Sequence, residues 1–193
     1  MTIAAQRIGM CIIPIGKCTF ESRVLRNYKP TAIVGSVFKL LRFARRLTSE
    51  SLRPSQTSIN KLIAGGESFA DESRTYLCRN GNVSLVYNTY GSTEGTMCGE
   101  CTHMTGLHVP EVLVHLDVYD PRLKSFVNDG DCGRSVLTTL LPVWGMTGMF
   151  LINYDTEDTT VVISPKRAGA AGHICGYTIP SGKPKRYGST QIP

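Results

Sequence analysis

Val83-Ser84-Leu85-Val86-Tyr87-Asn88-Thr89-Tyr90-Gly91-Ser92-Thr93-Glu94 is the stretch whose reading decides this chain. The apolar run Val83 to Val86 predicts a strand. It feeds into Tyr90 to Glu94, which offers a π-face, a flexible glycine backbone, hydroxyls and a carboxylate in close succession. Hydroxyls and backbone N–H groups can hold phosphate oxygens, and a carboxylate together with substrate phosphates is the usual way a protein binds magnesium. As a bare pattern, the same residues also fit an ordinary turn with Gly91 at positive φ.

Upstream of this stretch, β-like runs alternate with helical patterns. Ile8 to Ile15 and Ala32 to Val34 read as strands, Glu21 to Asn27 as a helix, and Val37, Leu40, Leu41, Ala44 and Leu47 fall on one helix face. The polar linker Thr48 to Ser58 leads to Ile59 to Ala64, a further strand ending on Gly65-Gly66. Ser68, with Asp71 three residues on, is expected to cap the next helix. This alternation predicts parallel crossover units, in which ligands collect at the carboxyl ends of strands. Downstream of Gly106, Val112 to Tyr119 and Arg134 to Thr138 alternate in character, with turn signals at Asp120-Pro121 and Asp129-Gly130. The expectation is an α/β fold: parallel crossover units over residues 1–88, an antiparallel β-rich part over 89–165, and an aberrant tail over 166–193.

Charge and composition narrow the function. The net charge of +6 is unevenly spread: Met1 to Lys61 carries 11 basic and 2 acidic residues, Leu62 to Pro165 carries 5 and 13, and the remainder 5 and none. The basic excess belongs largely to the tail, and Arg42, Arg45 and Arg46 lie on a helix whose other face is apolar, so a solvated face is the reading and no nucleic-acid partner is expected. A small basic nucleic-acid-binding protein is the alternative from another class. No apolar run approaches the roughly 20 residues that span a bilayer, so no membrane partner is expected. Pro14 and Gly16 interrupt Ile8 to Ile15, and no small-residue cleavage site follows, unlike a signal peptide. Seven irregularly spaced cysteines suit a reducing, cytoplasmic location.

Taken in order, a set of segments resembles the phenylacetate-CoA ligase type of adenylate-forming (AMP-binding) enzymes, from about Gly9 to Thr160. They are Gly9-Met10 with Ile12-Ile13-Pro14, Lys29-Pro30-Thr31 with Val34-Gly35, Ala64-Gly65-Gly66-Glu67, and Tyr90 to Glu94. Glu100-Cys101, Gly106-Leu107-His108, Gly133 with Leu137-Thr138-Thr139-Leu140, and Tyr154 to Asp158 follow. The resemblance implies part of an adenylation domain, with ATP and Mg2+ as cofactors and a carboxylate and coenzyme A as partners of the parent enzyme. It implies that Gly65, Gly66 and Glu67 run along the adenine, that Tyr90 stacks on it, and that Gly91 and Ser92 belong to the same nucleotide loop. Thr93 and Glu94 would contact the α-phosphate and magnesium, and Asp158 would grip the ribose hydroxyls. Asp155 and Glu157 depart from the family, standing where arginine or a small residue is often seen. The archaeal synthetases that attach AMP to the deazaflavin coenzyme are similar and would use the same adenosine contacts. The resemblance reaches neither an upstream Ser/Thr/Gly-rich phosphate loop nor a carboxy-terminal subdomain with a catalytic lysine, so the chain alone is expected not to turn over.

Cys98, Cys101 and His108 form an incomplete zinc constellation, since a closed tetrahedral site wants four ligands. The tail bears on this. Residues 167–187 can be encoded so that the frame beginning at the third base of each codon reads Cys-Arg-Cys-Gly-Arg-Thr-His-Met, a run similar to the Cys-x-Cys-Gly-Arg-Thr of the family. A frameshift is therefore expected. The shifted frame would restore two cysteines to Cys101 and His108, leaving the zinc site unformed in the chain as it stands and the tail poorly packed.

Overall fold

The computed structural model describes residues 2–16, 21–49, 57–81, 83–94, 97–104, 106–128, 130–140, 150–161 and 178–179. After a short helix α1 (Thr2–Arg7) and α2 (Glu21–Tyr28), the chain enters β1 (Ala32–Ser36), α3 (Val37–Ser49), β2 (Lys61–Gly65), α4 (Asp71–Gly81) and β3 (Leu85–Gly91). β2 pairs in parallel with both β1 and β3. These are the expected crossover units. Leu62 and Ala64 of β2 and Val86 of β3 are fully buried, and they form one core with Leu40, Ala44 and Leu47 of α3 and Leu77 of α4. Alternate strand positions and one helix face supply that core, which is why the sequence pattern was readable.

β4 (Met97–Glu100) turns back antiparallel on β3, and β5 (Leu107–His108) follows antiparallel on β4. The sheet order is β1-β2-β3-β4-β5-β10, with β10 (Thr178–Ile179) antiparallel on β5. The line between residues 88 and 89 therefore falls inside β3. A second, antiparallel sheet of order β7-β6-β8-β9 comprises β6 (Val114–Asp120), β7 (Ser125–Phe126), β8 (Cys132–Thr139) and β9 (Tyr154–Val161). Val114, Leu116 and Leu137 of this sheet pack against Cys98, Leu107 and Val109 in a second core. The turn expected at Asp120-Pro121 is held by Asp120, whose Oδ1 accepts from the Arg122 N–H at 2.8 Å.

Three local expectations are corrected. Ile8 to Ile15 is not a strand: Ile8 and Met10 donate back to Ala5, Gly9 and Gly16 take φ values of +80° and +55°, and Ile8 is 76% exposed. A strand needs a neighbour to satisfy its backbone, and among the described residues β1 pairs with β2 alone. Ser68 does not cap α4. The helix starts at Asp71, where Arg74 N–H bonds Ala70 O at 3.1 Å, because buried Phe69 draws the preceding residues into the core. Asp71 and Glu72 still suit the positive end of the helix dipole. Finally, Tyr90 and Gly91 lie in β3 and not in a loop after it. The parallel partner β2 ends at Gly65, opposite Thr89, but pairing with β4 (Tyr90 with Cys98, Gly91 with Met97) carries the strand onward.

Of the tail, the described residues are Thr178 and Ile179, whose backbones pair with His108 and Leu107. The unpacked tail expected from the sequence otherwise falls outside the described residues, as does most of the linker Thr48 to Ser58.

Candidate functional site

The carboxyl ends of β1, β2 and β3 open onto a cavity of about 340 Å³. Its walls are Val34 to Ser36, Gly65-Gly66 and Thr89 to Gly91, with Met97 reaching in from β4. Both glycine segments singled out in the sequence therefore meet at one place, where parallel strands present their free carboxyl ends. The two glycines differ. A Cβ on Gly65 would strike the Thr89 hydroxyl and lie 3.0 Å from the Thr89 carbonyl, so the close fit of β2 to β3 favours glycine there. Gly66 faces open space at φ +77°, a conformation that L side chains rarely adopt. Gly91 does not have positive φ.

Glu67 leaves the strand line: its Oε2 accepts the Phe38 N–H at 2.9 Å, placing its carboxylate on the amino-terminal turn of α3. Ser92, Thr93 and Glu94 form the turn after β3. The Glu94 carboxyl is held below its ordinary value chiefly by its own backbone N–H and then by the Ser92 hydroxyl, with Thr93 adding to both. Ser92 Oγ itself is buried without a complete hydrogen bond.

Tyr90 and Asp158 are 68 residues apart, and the fold joins them: the Tyr90 hydroxyl donates to Asp158 Oδ2 at 2.5 Å. Burial of the ring first, then the hydrogen bond and negative charge of Asp158, raise the Tyr90 phenol above its ordinary value of 10.0, against a smaller opposing effect of the Thr156 hydroxyl. The phenol is therefore a firm donor at neutral pH, and Asp158 Oδ1 stays available on an exposed residue. What brings Asp158 here is an irregularity. The β8–β9 register runs Arg134 with Thr159 and then Val136 with Asp155, so Thr156 to Asp158 bulge opposite Ser135. Inside the bulge, Thr156 Oγ1 donates to Ser135 O at 2.9 Å and accepts the Asp158 N–H at 3.2 Å, and the Ser135 and Thr156 hydroxyls bond each other.

No family model matches the chain. It is 24% identical over 167 residues to the phenylacetate-coenzyme A ligase of Aromatoleum evansii, an alignment that takes in 83% of this chain and 37% of that protein. The phenylacetate-coenzyme A ligase of Pseudomonas putida is likewise 24% identical, over 81% of this chain and 36% of its own length. The chain thus spans little more than a third of the curated relatives it matches. An open conformation of 2-hydroxyisobutyryl-CoA ligase, in complex with 2-HIB-AMP and CoA, superposes with a TM-score of 0.72 at 19% identity, covering 93% of this chain and 39% of that one. The chain is thus similar in sequence to phenylacetate-coenzyme A ligases and shares the fold of an adenylate-forming CoA ligase. Its parallel units followed by antiparallel strands are the ligase fold.

The candidate site has a support that the sequence did not reveal. Glu100 has no exposed side-chain surface, and its Oε1 and Oε2 accept from Arg74 Nη2 and Nη1 at 2.8 and 3.0 Å. Glu100 Oε2 also takes the Asn88 N–H at 2.7 Å, while Arg74 bonds Val86 O and lies 4.8 Å over the Phe69 ring. This ion pair ties α4 and β4 to β3 just before Tyr90. A carboxylate in so short a strand signals that a counter-ion is needed, but no spacing points to Arg74.

The zinc constellation does not fit a metal among the described residues: no three His, Cys, Asp or Glu side chains converge. Cys98 lies opposite Tyr90 in the second core, whereas His108 lies opposite Gly99 with its Nδ1 buried and unpartnered. Also among these residues, no helix is long and apolar enough to cross a membrane.

Proposed function

We propose that this chain supplies the adenosine-binding and magnesium-facing part of an ATP-dependent site that activates a carboxylate as its acyl-adenylate, the parent enzyme then passing the acyl group to coenzyme A. The observation that carries this reading is the Tyr90–Asp158 hydrogen bond at the rim of the glycine-walled cavity. A ring for the adenine and a carboxylate for the ribose hydroxyls sit side by side, about as an adenosine would need them. Asp158 accepts from Tyr90 through one oxygen and can accept from hydroxyls through the other. Gly66 leaves open backbone for the base edge, and the turn Ser92 to Glu94 would bring the Thr93 hydroxyl to the phosphate oxygens.

Glu94 suits magnesium: it is ionised at neutral pH, and magnesium characteristically takes one or two carboxylates and completes its shell with substrate phosphates and water. When bound, the metal would offset charge on the phosphate under attack. The chain's own residues position the nucleotide, so the catalysis they support is mainly electrostatic and orientational.

Calorimetric titration of the full chain with ATP, with and without Mg2+, tests this reading. Glu94→Gln should remove the magnesium dependence of ATP binding and leave AMP binding intact, whereas Tyr90→Ala should weaken both nucleotides. Magnesium dependence that survives Glu94→Gln would overturn the assignment.

A further inference from the structure

The acidic residues that depart from the family pattern around Asp158 are not left unpaired. Arg134 Nη2 meets Asp155 Oδ2 at 2.9 Å and Glu157 Oε1 at 3.2 Å, so one guanidinium nitrogen bridges both carboxylates. Asp155 Oδ1 in turn accepts the Glu157 N–H at 2.9 Å. Glu157 stands at φ +63°, left-handed backbone that a non-glycine residue holds only when its surroundings impose it. This residue turns the chain immediately before Asp158. Without a cation, three carboxylates within four residues would repel one another and would repel a phosphate-bearing ligand.

We propose that Arg134 is the positioning residue for ribose recognition: by bridging Asp155 and Glu157 it fixes the β9 bulge so that Asp158 is held beside Tyr90 with one oxygen directed to a ribose hydroxyl. This rests on the reading of Asp158 as the ribose carboxylate. Arg134 touches no ligand itself. Its effect is on discrimination between nucleotides with and without the 2′-hydroxyl, and not on nucleotide affinity in general.

The test is titration of the full chain with AMP and with 2′-deoxy-AMP. The unmodified chain should prefer AMP by roughly tenfold, the size of one charge-assisted hydrogen bond, and Asp158→Ala should erase that preference. Arg134→Gln should bring the two affinities within about twofold of each other, mostly through weaker AMP binding. Arg134→Lys should restore most of the preference, because a single nitrogen makes both contacts. Asp155→Asn, at a side chain 41% exposed and therefore harmless to folding, should reproduce the Arg134→Gln loss. If Arg134→Gln and Asp155→Asn keep the preference that Asp158→Ala loses, or weaken both nucleotides equally, the positioning role is wrong while the ribose reading stands. If the unmodified chain shows no preference, or Asp158→Ala keeps it, the ribose reading fails and the role of Arg134 falls with it.

Discussion

In the six-stranded sheet the candidate site is made mostly of backbone: two glycines, the end of β3 and the turn beyond it, held by hydrophobic burial beneath and by the Arg74–Glu100 pair beside. In the four-stranded sheet it is made of one carboxylate, Asp158, presented by a bulge that polar and ionic contacts hold in place. The first region is rigid because its parts are close-packed, and it fails when a side chain is added or a buried charge is stranded. The second is specific because its parts are charged, and it fails by losing aim while the fold persists. Substitutions should therefore act on stability in one region and on ligand discrimination in the other.

The largest effect should come from the buried ion pair. Arg74→Ala leaves the fully enclosed Glu100 carboxylate without its cation, and removing one partner of such a pair costs about 3–5 kcal/mol. Urea denaturation should show a lower midpoint. Replacing both partners, as Arg74→Met with Glu100→Leu, should recover part of the loss but not all, since Asn88 N–H loses its acceptor. A single Arg74→Ala change that leaves the midpoint unmoved would remove the strut from the account.

Added methyl groups rank next, and the two sheets can be compared directly. A Cβ on Gly133 of β8 would lie 2.6 Å from the Tyr119 carbonyl oxygen, a backbone atom that cannot give way cheaply. On Gly65 of β2 the nearest obstacle is the Thr89 hydroxyl, which can rotate. Overpacking costs about 1–3 kcal/mol, so Gly133→Ala should fall at the upper end and Gly65→Ala at the lower. Nucleotide affinity should nonetheless suffer more in Gly65→Ala, because that glycine walls the cavity.

Tyr90→Phe should have the smallest effect on stability, about 0.5–1.5 kcal/mol for the lost hydrogen bond. It should also change the pH profile. The phenol pKa is raised above the ordinary 10.0, so the folded state binds more protons than the unfolded state above that pH. Its contribution is therefore constant below about pH 10 and is lost as pH rises through the folded-state value. Stability measured from neutral to strongly alkaline pH should decline more steeply in the unmodified chain than in Tyr90→Phe. Parallel curves would mean that neither burial nor Asp158 shifts the phenol.

The regions also differed in how far the sequence exposed them. Helical spacing from Val37 to Leu47 and the strand before Tyr90 were legible because burial on one face repeats with the geometry of the element. Gly65, Gly66 and Tyr90 could be placed at strand ends, and Asp158 at the end of a family-like segment, from the sequence alone. Ile8 to Ile15 misled because an apolar run does not reveal whether a neighbouring strand exists to receive it. Ser68 misled because burial of Phe69 outweighed a local capping pattern. The bulge at Thr156 to Asp158 and the Arg134 bridge were invisible because both depend on register between strands more than 15 residues apart, as the 21-residue separation of Ser135 and Thr156 illustrates. The same holds for Arg74 and Glu100, which meet across 26 residues.

The central claim is that the two sheets share one adenosine site through Tyr90 and Asp158. Calorimetric titration of AMP into the full chain and into the Tyr90→Phe, Asp158→Asn and doubly substituted chains measures it most directly. A coupling of about 1 kcal/mol or more between the two positions is predicted, since each change spoils the geometry that the other residue relies on. Effects on AMP affinity that add to within about 0.5 kcal/mol, or AMP binding that neither substitution alters, would contradict it.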